Sequence, residues 1–291
     1  MEKDKGRSMK SELLQLLVCP KCQHRLESQS ADQLFCPECG NKIRVEEGKP
    51  LFTSVPATIE PWEKVERGPE RGTVWRRSNW QYLNEKISKQ PADAKILDVG
   101  AGHGDFADIF EGRHYFSLDI FPYPEVDLVV DLAQDIPFIE ETFDIAVLMN
   151  VLEHVYENRK LIRNIGKVLK PGGQLIITVP FLLKVHQAPF DFSRYTPYYL
   201  TQLAEESGFR VKNLDGYYNT LYLLNESLGN LWQYSIRPNG LQSFIAKGLV
   251  FTIQRLINGL GKLIEPGKIR PYVQEANPAP VGYLVVLEKK A

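Results

Sequence analysis

From Ala94 onward six short apolar runs, KILDVG, HYFSLDI, VDLVVDL, FDIAVLMN, QLIITVP and FRVKNLDG, alternate with amphipathic stretches. Runs this short and this rich in β-branched residues form strands, while the segments between them carry apolar residues at helical spacing. Leu161, Ile162, Ile165, Val168 and Leu169 share one helix face behind an expected Asn158 cap, and KPGG ends that helix. Thr196 is placed to cap the next helix, with Pro197 in its first turn and Gly208 at its end. Strands alternating with helices give a parallel sheet covered on both faces. Upstream, Val74, Trp75, Tyr82, Leu83 and Ile87 predict a further helix over Thr73 to Ser88 that ends before Pro91.

All four cysteines fall between positions 19 and 39, as CPKC and CPEC with thirteen residues between the pairs. Four thiolates from two tight turns is how a structural tetrahedral zinc site is built. A module of roughly 40 residues is too small to be held by apolar burial alone, and metal binding supplies the missing folding energy. Cys19, Cys22, Cys36 and Cys39 are the expected Zn2+ ligands, leaving no coordination position for a catalytic water; redox chemistry at the CxxC pairs and an iron centre are the alternatives. The text LLQLLVCPKCQHRLE, LFCPECG and IRVEEGKPLF resembles the short bacterial zinc-ribbon proteins and the Trm112-like family over about residues 12 to 53. In that family comparable modules are partners or stabilisers of methyltransferases, so the resemblance implies support for a neighbour, not chemistry.

The 291 residues carry 35 Lys and Arg against 36 Asp and Glu, so no global basic field favours nucleic acid and no acidic excess favours disorder. The charged N-terminus MEKDKGRSMK has no apolar core, and no apolar run approaches the roughly 18 residues of a membrane span. The expectation is a cytoplasmic protein, with peripheral contact at the inner face of a membrane as an option. The expected organisation is a zinc ribbon over 1–53, a linker and cap helix over 54–91, and an α/β domain over 92–291 with a helical insertion at about 217–280. The expected fold is a Rossmann-like, seven-stranded, mostly parallel sheet.

ILDVG runs into GAGHG, so Gly100, Gly102 and Gly104 make a GxGxG turn between a strand and a helix, where backbone must approach a ligand closely. A dinucleotide-binding turn has its third glycine at the next position, which here is Asp105, and Asp98 adds a second carboxylate. Carboxylates there repel a pyrophosphate but balance the sulfonium and ammonium groups of S-adenosylmethionine. Asp119 closes the second strand, where a carboxylate can accept both ribose hydroxyls; a solvated strand end is the alternative. Asp131 follows the third strand and can accept from an adenine amino group, or serve simply as a turn residue.

The run ILDVGAGHG, SLDI, DLAQDIPFIEETFDIAVLMNVLEHV and LKPGGQLIITVP resembles, in order and spacing, the methyltransferase type 11 group of class I S-adenosylmethionine-dependent methyltransferases. The resemblance covers roughly residues 92 to 216, and PVGYLVVLEKK looks like that group's terminal antiparallel strand; residues 217 to 280 lie outside it. It implies that Asp98 contacts the methionine amino end, that the three glycines form its cradle, and that Asp119 and Asp131 hold ribose and adenine. Asn150 is assigned to the same pocket.

In an open α/β sheet the ligands lie beyond the carboxyl ends of the strands. Asn150, Glu153 and His154 follow the fourth strand there, and His154 is read as a pocket or packing residue in preference to a base. After the fifth strand, HQAPFDFSRYTP gathers His186, Asp191, Arg194 and Tyr195 on one loop. Either Asp191 and Arg194 simply pin the loop, or His186 or Asp191 removes a proton from a hydroxyl acceptor while Arg194 or Tyr195 orients an anionic or sugar group. Similar HxxPxDFxRYT text occurs in methyltransferases of bacterial cell-surface glycan pathways, a resemblance that points to a glycan acceptor.

The insertion reads as two helices. In the second, Leu241, Ile245, Leu249, Ile253, Leu256, Leu260 and Leu263 recur at helical spacing, with Lys247, Arg255 and Lys262 among the polar positions. Such a helix packs on the core or on a second subunit, or lies on an anionic bilayer through 241–264. Three functions follow. The first is methylation, expected at oxygen, of a small-molecule, glycan or lipid-linked acceptor. The second is methylation of RNA, for which Arg67, Arg71, Arg76 and Arg77 with Trp75 and Trp80 form the basic and aromatic cluster. The third is a non-catalytic scaffold, against which the intact glycine turn, Asp119 and Asp131 argue. Oligomeric state stays open.

Overall fold

The computed structural model describes residues 9–53, 68–231, 241–264, 267–272 and 279–291. In chain order the elements are α1 (Ser11–Leu16), β1 (Glu27–Ser30), β2 (Gln33–Phe35), β3 (Lys42–Glu46), β4 (Lys49–Leu51), α2 (Val74–Ser88), β5 (Lys95–Val99), β6 (His114–Asp119), β7 (Leu128–Val129) and β8 (Phe143–Met149). There follow α3 (Asn158–Val168), β9 (Leu169–Pro180), α4 (Pro197–Glu206), β10 (Phe209–Tyr218), α5 (Thr220–Asn230), α6 (Leu241–Ile264), β11 (Lys268–Pro271) and β12 (Gly282–Lys289).

The described strands form a single sheet in the order β1-β2-β3-β4-β7-β6-β5-β8-β9-β12-β10-β11, so it has twelve strands where seven were expected. The expected set is its middle: β7, β6, β5, β8 and β9 are mutually parallel, and β12 inserts antiparallel between β9 and β10. The extra strands come from both edges. At one, β11 pairs antiparallel with β10. At the other, β4 of the cysteine module pairs parallel with β7 at Leu51 and Val129, and the Phe52 amide donates to the Val129 carbonyl at 2.8 Å. The two-residue strand β7 would otherwise leave an open edge, and the module occupies it.

Alternation along the central strands sends successive side chains to two cores. On one face Ile96, Ile145, Val147, Ile176, Leu284 and Val286 pack with Trp75, Tyr82 and Leu83 of α2. On the other, Leu97, Ala146, Leu148, Leu175, Ile177 and Val285 pack with Leu161, Ile162 and Ile165 of α3. That second cluster continues without a break into Leu13, Leu17, Leu34 and Val45, so the cysteine module shares its core with the sheet. Main-chain bonds reinforce the join: the Val18 amide donates to the Pro137 carbonyl at 3.0 Å and the Ile139 amide to the Leu16 carbonyl at 2.9 Å.

Local signals hold in part. Thr73 and Thr196 cap α2 and α4 through their hydroxyls, and Gly208 follows α4 at φ +84°. Asn158 is not the cap of α3. Glu157 holds that position without a side-chain bond, and the Asn158 side chain instead accepts from the Tyr199 hydroxyl at 2.9 Å, a tertiary bond that outcompetes the local one. The helix expected after the glycine turn is a single 3-10 turn, Ala107–Phe110. The insertion does contain two helices, α5 and α6, with the Gln254 side chain donating to the Asn225 carbonyl at 3.2 Å between them. Arg67 and the linker through residue 67 lie outside the described residues, as do the side chains of Leu241, Lys262 and Leu263. No helix among the described residues is long and apolar enough to cross a membrane.

Candidate functional site

The four cysteines converge. Cys19 Sγ lies 3.6 Å from Cys39 Sγ and Cys22 Sγ 3.3 Å from Cys36 Sγ, and the four sulfurs all fall within 4.8 Å of one another. A tetrahedral ion with Zn–S bonds of about 2.3 Å spaces its sulfurs about 3.8 Å apart, which this cluster matches closely. Two similar turns build it: the Gln23 amide donates to the Cys19 carbonyl and the Gly40 amide to the Cys36 carbonyl, each at 2.9 Å. The backbone amide of Cys39 brings the Cys36 thiol down to about 7, while Cys22, against the pull of the His24 amide, is pushed up to about 12 by burial and the neighbouring thiols, so the thiols differ in how readily they ionise.

The glycine turn joins β5 to the 3-10 turn. Gly100 has φ +78°, and a Cβ there would meet Val151 Cγ2 at 2.5 Å; at Gly102, φ +54°, a Cβ would meet nothing within 4 Å. The first glycine therefore answers to packing, and the second faces open space of the kind a ligand occupies. Gly104, φ +70°, closes the turn with its amide on the Ala101 carbonyl at 2.9 Å.

Two buried carboxylates, Asp98 and Asp119, flank this turn. Asp119, at the end of β6, accepts from the Gly102 amide at 2.9 Å and the Phe121 amide at 3.0 Å. Burial pushes its carboxyl above the usual carboxylate range, while those two amides pull it back. Asp98 accepts from the Tyr115 hydroxyl at 2.8 Å. Burial pushes it up to about 7, and the charges of Asp119 and Asp105 add to the effect. Asp131 lies further along the strand ends, where it accepts from the Ala133 amide at 2.9 Å as a local turn residue. A cation is what this concentration of buried negative charge lacks.

Asn150, just past β8, sits at φ +55°. Its side-chain oxygen accepts from Trp75 Nε1 at 2.8 Å and Asn79 Nδ2 at 3.3 Å, so α2 clamps this corner. The basic and aromatic cluster expected to follow a nucleic-acid backbone is partly spent inside, although Arg71 stays exposed. Arg76 is buried over the Phe106 ring and donates to the carbonyls of Gly68, Arg71 and Asp105; Trp75 is buried; Trp80 Nε1 donates to Asp108 at 3.0 Å.

The loop after β9 comes back over the end of β8. Asp191, with 1% of its side chain exposed, is held by both ends of the Arg194 guanidinium, by the His186 amide at 2.8 Å, and by His186 Nδ1 at 3.2 Å. Burial opposes its charge, but Arg194 and the His186 amide outweigh burial and hold the carboxyl down at about 2. So weak a base is better suited to orienting His186 than to taking a proton. Arg194 also donates to the Leu183 and Lys184 carbonyls and braces the loop. Tyr195 departs from expectation: it is 3% exposed in the core, and its hydroxyl donates to the Leu152 carbonyl at 2.8 Å, so it cannot orient an acceptor in solvent.

Glu153 is the residue to which the sequence assigned no role. Its side chain is fully buried, and neither carboxylate oxygen accepts a hydrogen bond from any of the described residues. Burial pushes it up to about 8. His154 Nε2 lies 3.7 Å and His186 Nε2 3.9 Å from Glu153 Oε1, and the two imidazoles meet edge to face. The adjacent Glu and His after a strand end were visible in the sequence; their meeting with a histidine 32 positions further on was not.

A family profile described as a methyltransferase domain matches residues 75–214. A probable S-adenosylmethionine-dependent methyltransferase of Mycolicibacterium smegmatis is 23% identical over 174 residues, 54% of this chain and 67% of that protein. A ubiquinone biosynthesis O-methyltransferase of Pseudomonas putida is 27% identical over 192 residues, 52% of this chain and 80% of that protein. A tRNA (carboxymethyluridine(34)-5-O)-methyltransferase of Arabidopsis thaliana is 30% identical over 115 residues, 36% of this chain but only 28% of that protein. The chain is thus an enzyme of the S-adenosylmethionine-dependent methyltransferase class.

Proposed function

We propose that this methyltransferase acts on a hydroxyl oxygen of a small-molecule, glycan or lipid-linked acceptor. The observation that carries the reading is the His186 imidazole backed by Asp191 at 3.2 Å, beside Glu153 and at the carboxyl ends of β8 and β9 where an acceptor must lie. Two of the relatives above are O-methyltransferases by name, which supports oxygen as the target.

S-adenosylmethionine, when bound, supplies a methyl group activated by an adjacent sulfonium. The chain's own residues do the rest. Asp119 would accept the ribose hydroxyls, Asp131 the adenine amino group, and Asp98 the methionine ammonium, with Gly100, Gly102, Gly104 and Asn150 shaping the pocket; the burial of Asp98 and Asp119 beside the glycine turn supports this reading. The open space at Gly102 and the surplus of buried carboxylates fit such a ligand. Positioning and exclusion of water supply most of the acceleration, and the hydroxyl proton is removed at the Glu153, His154 and His186 cluster. Cys19, Cys22, Cys36 and Cys39 hold a structural Zn2+ in a Trm112-like ribbon. Ile245, Leu249 and Leu256 of α6, each more than 60% exposed, bring the enzyme to a membrane-borne acceptor.

The test is incubation of the protein with methyl-labelled S-adenosylmethionine and separated lipid, glycan and RNA fractions. Label in a lipid or glycan hydroxyl is expected, and His186→Ala should lower turnover by roughly 100-fold with cofactor affinity nearly unchanged. Label confined to RNA bases overturns the acceptor assignment.

A further inference from the structure

We propose that Glu153, His154 and His186 form a binding site for a divalent transition-metal ion, distinct from the four-cysteine cluster. One ligand atom from each of the three lies within 4.8 Å of the other two. Glu153 offers a fully buried carboxylate whose two oxygens accept no hydrogen bond from any of the described residues, an arrangement that costs a protein stability unless something else satisfies it. Both imidazoles present Nε2 toward that carboxylate, at 3.7 and 3.9 Å from Oε1.

The far side of each ring is equally informative. His154 Nδ1 lies 2.7 Å from the Phe190 carbonyl, and His186 Nδ1 lies 3.2 Å from the Asp191 carboxylate, itself braced by Arg194. An imidazole that binds a metal through one nitrogen characteristically gives its other N–H to a carbonyl or a carboxylate, and both versions occur here side by side. Ion–ligand bonds of about 2.1 Å place ligand atoms about 3.0 to 3.4 Å apart, so the two imidazoles, at 3.7 and 3.9 Å from Glu153 Oε1 and within 4.8 Å of each other, close in by up to about an ångström or somewhat more when an ion binds. Two imidazoles, one carboxylate and open positions suit Mn2+, Fe2+ or Zn2+. The charges favour a cation: ionised Glu153 and Asp191 against Arg194 leave one net negative charge, which offsets half of a dication's charge. One-third exposure of the His186 side chain leaves the site open on the acceptor side.

The catalytic use of the ion rests on the hydroxyl-acceptor reading, whereas its binding does not. A hydroxyl oxygen coordinated to the ion loses its proton more readily. With the ion bound, His186 would serve as its ligand and no longer as the base, the hydroxyl proton would pass to bulk water, and the oxygen would keep the electron pair that forms the new O–CH3 bond as the donor's S–CH3 bond breaks.

The full chain, with its thiolate site loaded, is titrated with Mn2+ and followed by electron paramagnetic resonance; Mn2+ prefers oxygen and nitrogen ligands and discriminates against the cysteines. One tightly held Mn2+ per chain is expected, lost in Glu153→Gln and His186→Ala. If Glu153→Gln does not fold, the partly exposed His186→Ala variant carries the test, with circular dichroism confirming its fold. No Mn2+ held at millimolar concentration, or equal retention in the folded variants, overturns the site. Mn2+ bound at these residues in a protein that methylates only RNA bases leaves the site standing and removes the hydroxyl reading. Hydroxyl methylation without Mn2+ binding does the reverse.

Discussion

Trp75 of α2 donates its indole N–H to the side-chain oxygen of Asn150 at 2.8 Å, tying the helix that covers one face of the sheet to the left-handed corner that ends β8. A corner held at positive φ by a non-glycine residue needs such support. Trp75→Phe keeps the apolar packing and removes the donor. The loss of one neutral hydrogen bond, about 0.5–1.5 kcal/mol, should weaken S-adenosylmethionine binding roughly twofold to tenfold in calorimetry. Unchanged affinity in a folded variant would show that Asn150 does not serve the cofactor pocket.

If Asp98 seats the methionine ammonium, cofactor binding depends on pH. Its carboxyl stands at about 7 in the folded chain, against about 3.9 when unfolded, so between those values the folded state binds the extra proton. This group's contribution to stability therefore falls as pH rises from about 4 to 7 and is flat above. An ammonium seated beside it favours the ionised form, so affinity for S-adenosylmethionine should rise with pH up to about 7, by as much as tenfold per unit, with proton release on binding. Calorimetry in buffers of different ionisation enthalpy measures that release. Asp98→Asn should abolish it, and a proton count of zero in the parent protein refutes the assignment.

Because Leu17 and Leu34 share one core with Phe116 and Phe138, loss of the thiolate cluster should not be confined to the module. Metal analysis should find about one zinc held by the four cysteines. Cys36→Ser, the most buried pair partner of Cys22, should lower the thermal midpoint of the whole protein in one transition. Two separated transitions, the second at the parent midpoint, would show that the module unfolds by itself.

For α6, replacing Ile245, Leu249 and Leu256 by Ser removes three exposed apolar side chains from a face that contributes little to the core. Cosedimentation with anionic vesicles should fall several-fold while the thermal midpoint holds or rises. Equal sedimentation of parent and variant would argue that this face meets another protein chain instead.

Much of the fold was legible because strand and helix periods differ so plainly after Ala94, and the threonine caps and the glycine turn are local chemistry that short segments carry by themselves. The twelve-strand sheet was not legible, since a two-residue strand such as β7 has no period to read and its pairing with Leu51 is decided by tertiary packing. Asn158 failed as a cap for a similar reason, its amide being drawn to Tyr199 from another helix. In the site, Asp98 and Asp119 stand where the motif puts them. Glu153 escaped because its importance lies in burial without a partner, a property that no one-dimensional pattern contains, and Tyr195 misled because a polar residue beside a loop cluster turned inward.

The pairing of β4 with β7 also sets a timetable for synthesis. Leu51 leaves the ribosome well before Val129, the residue against which it lies. At about 5–20 residues per second the nascent module waits roughly 4 to 16 s with that edge unpaired. Ion capture by the two CPxC turns needs only residues already made, so it can order the emerging segment during the wait. Such an edge, if an ion holds it in shape, would be a template on which β7 arrives late, and the cysteine module would then act as a scaffold for the nascent sheet.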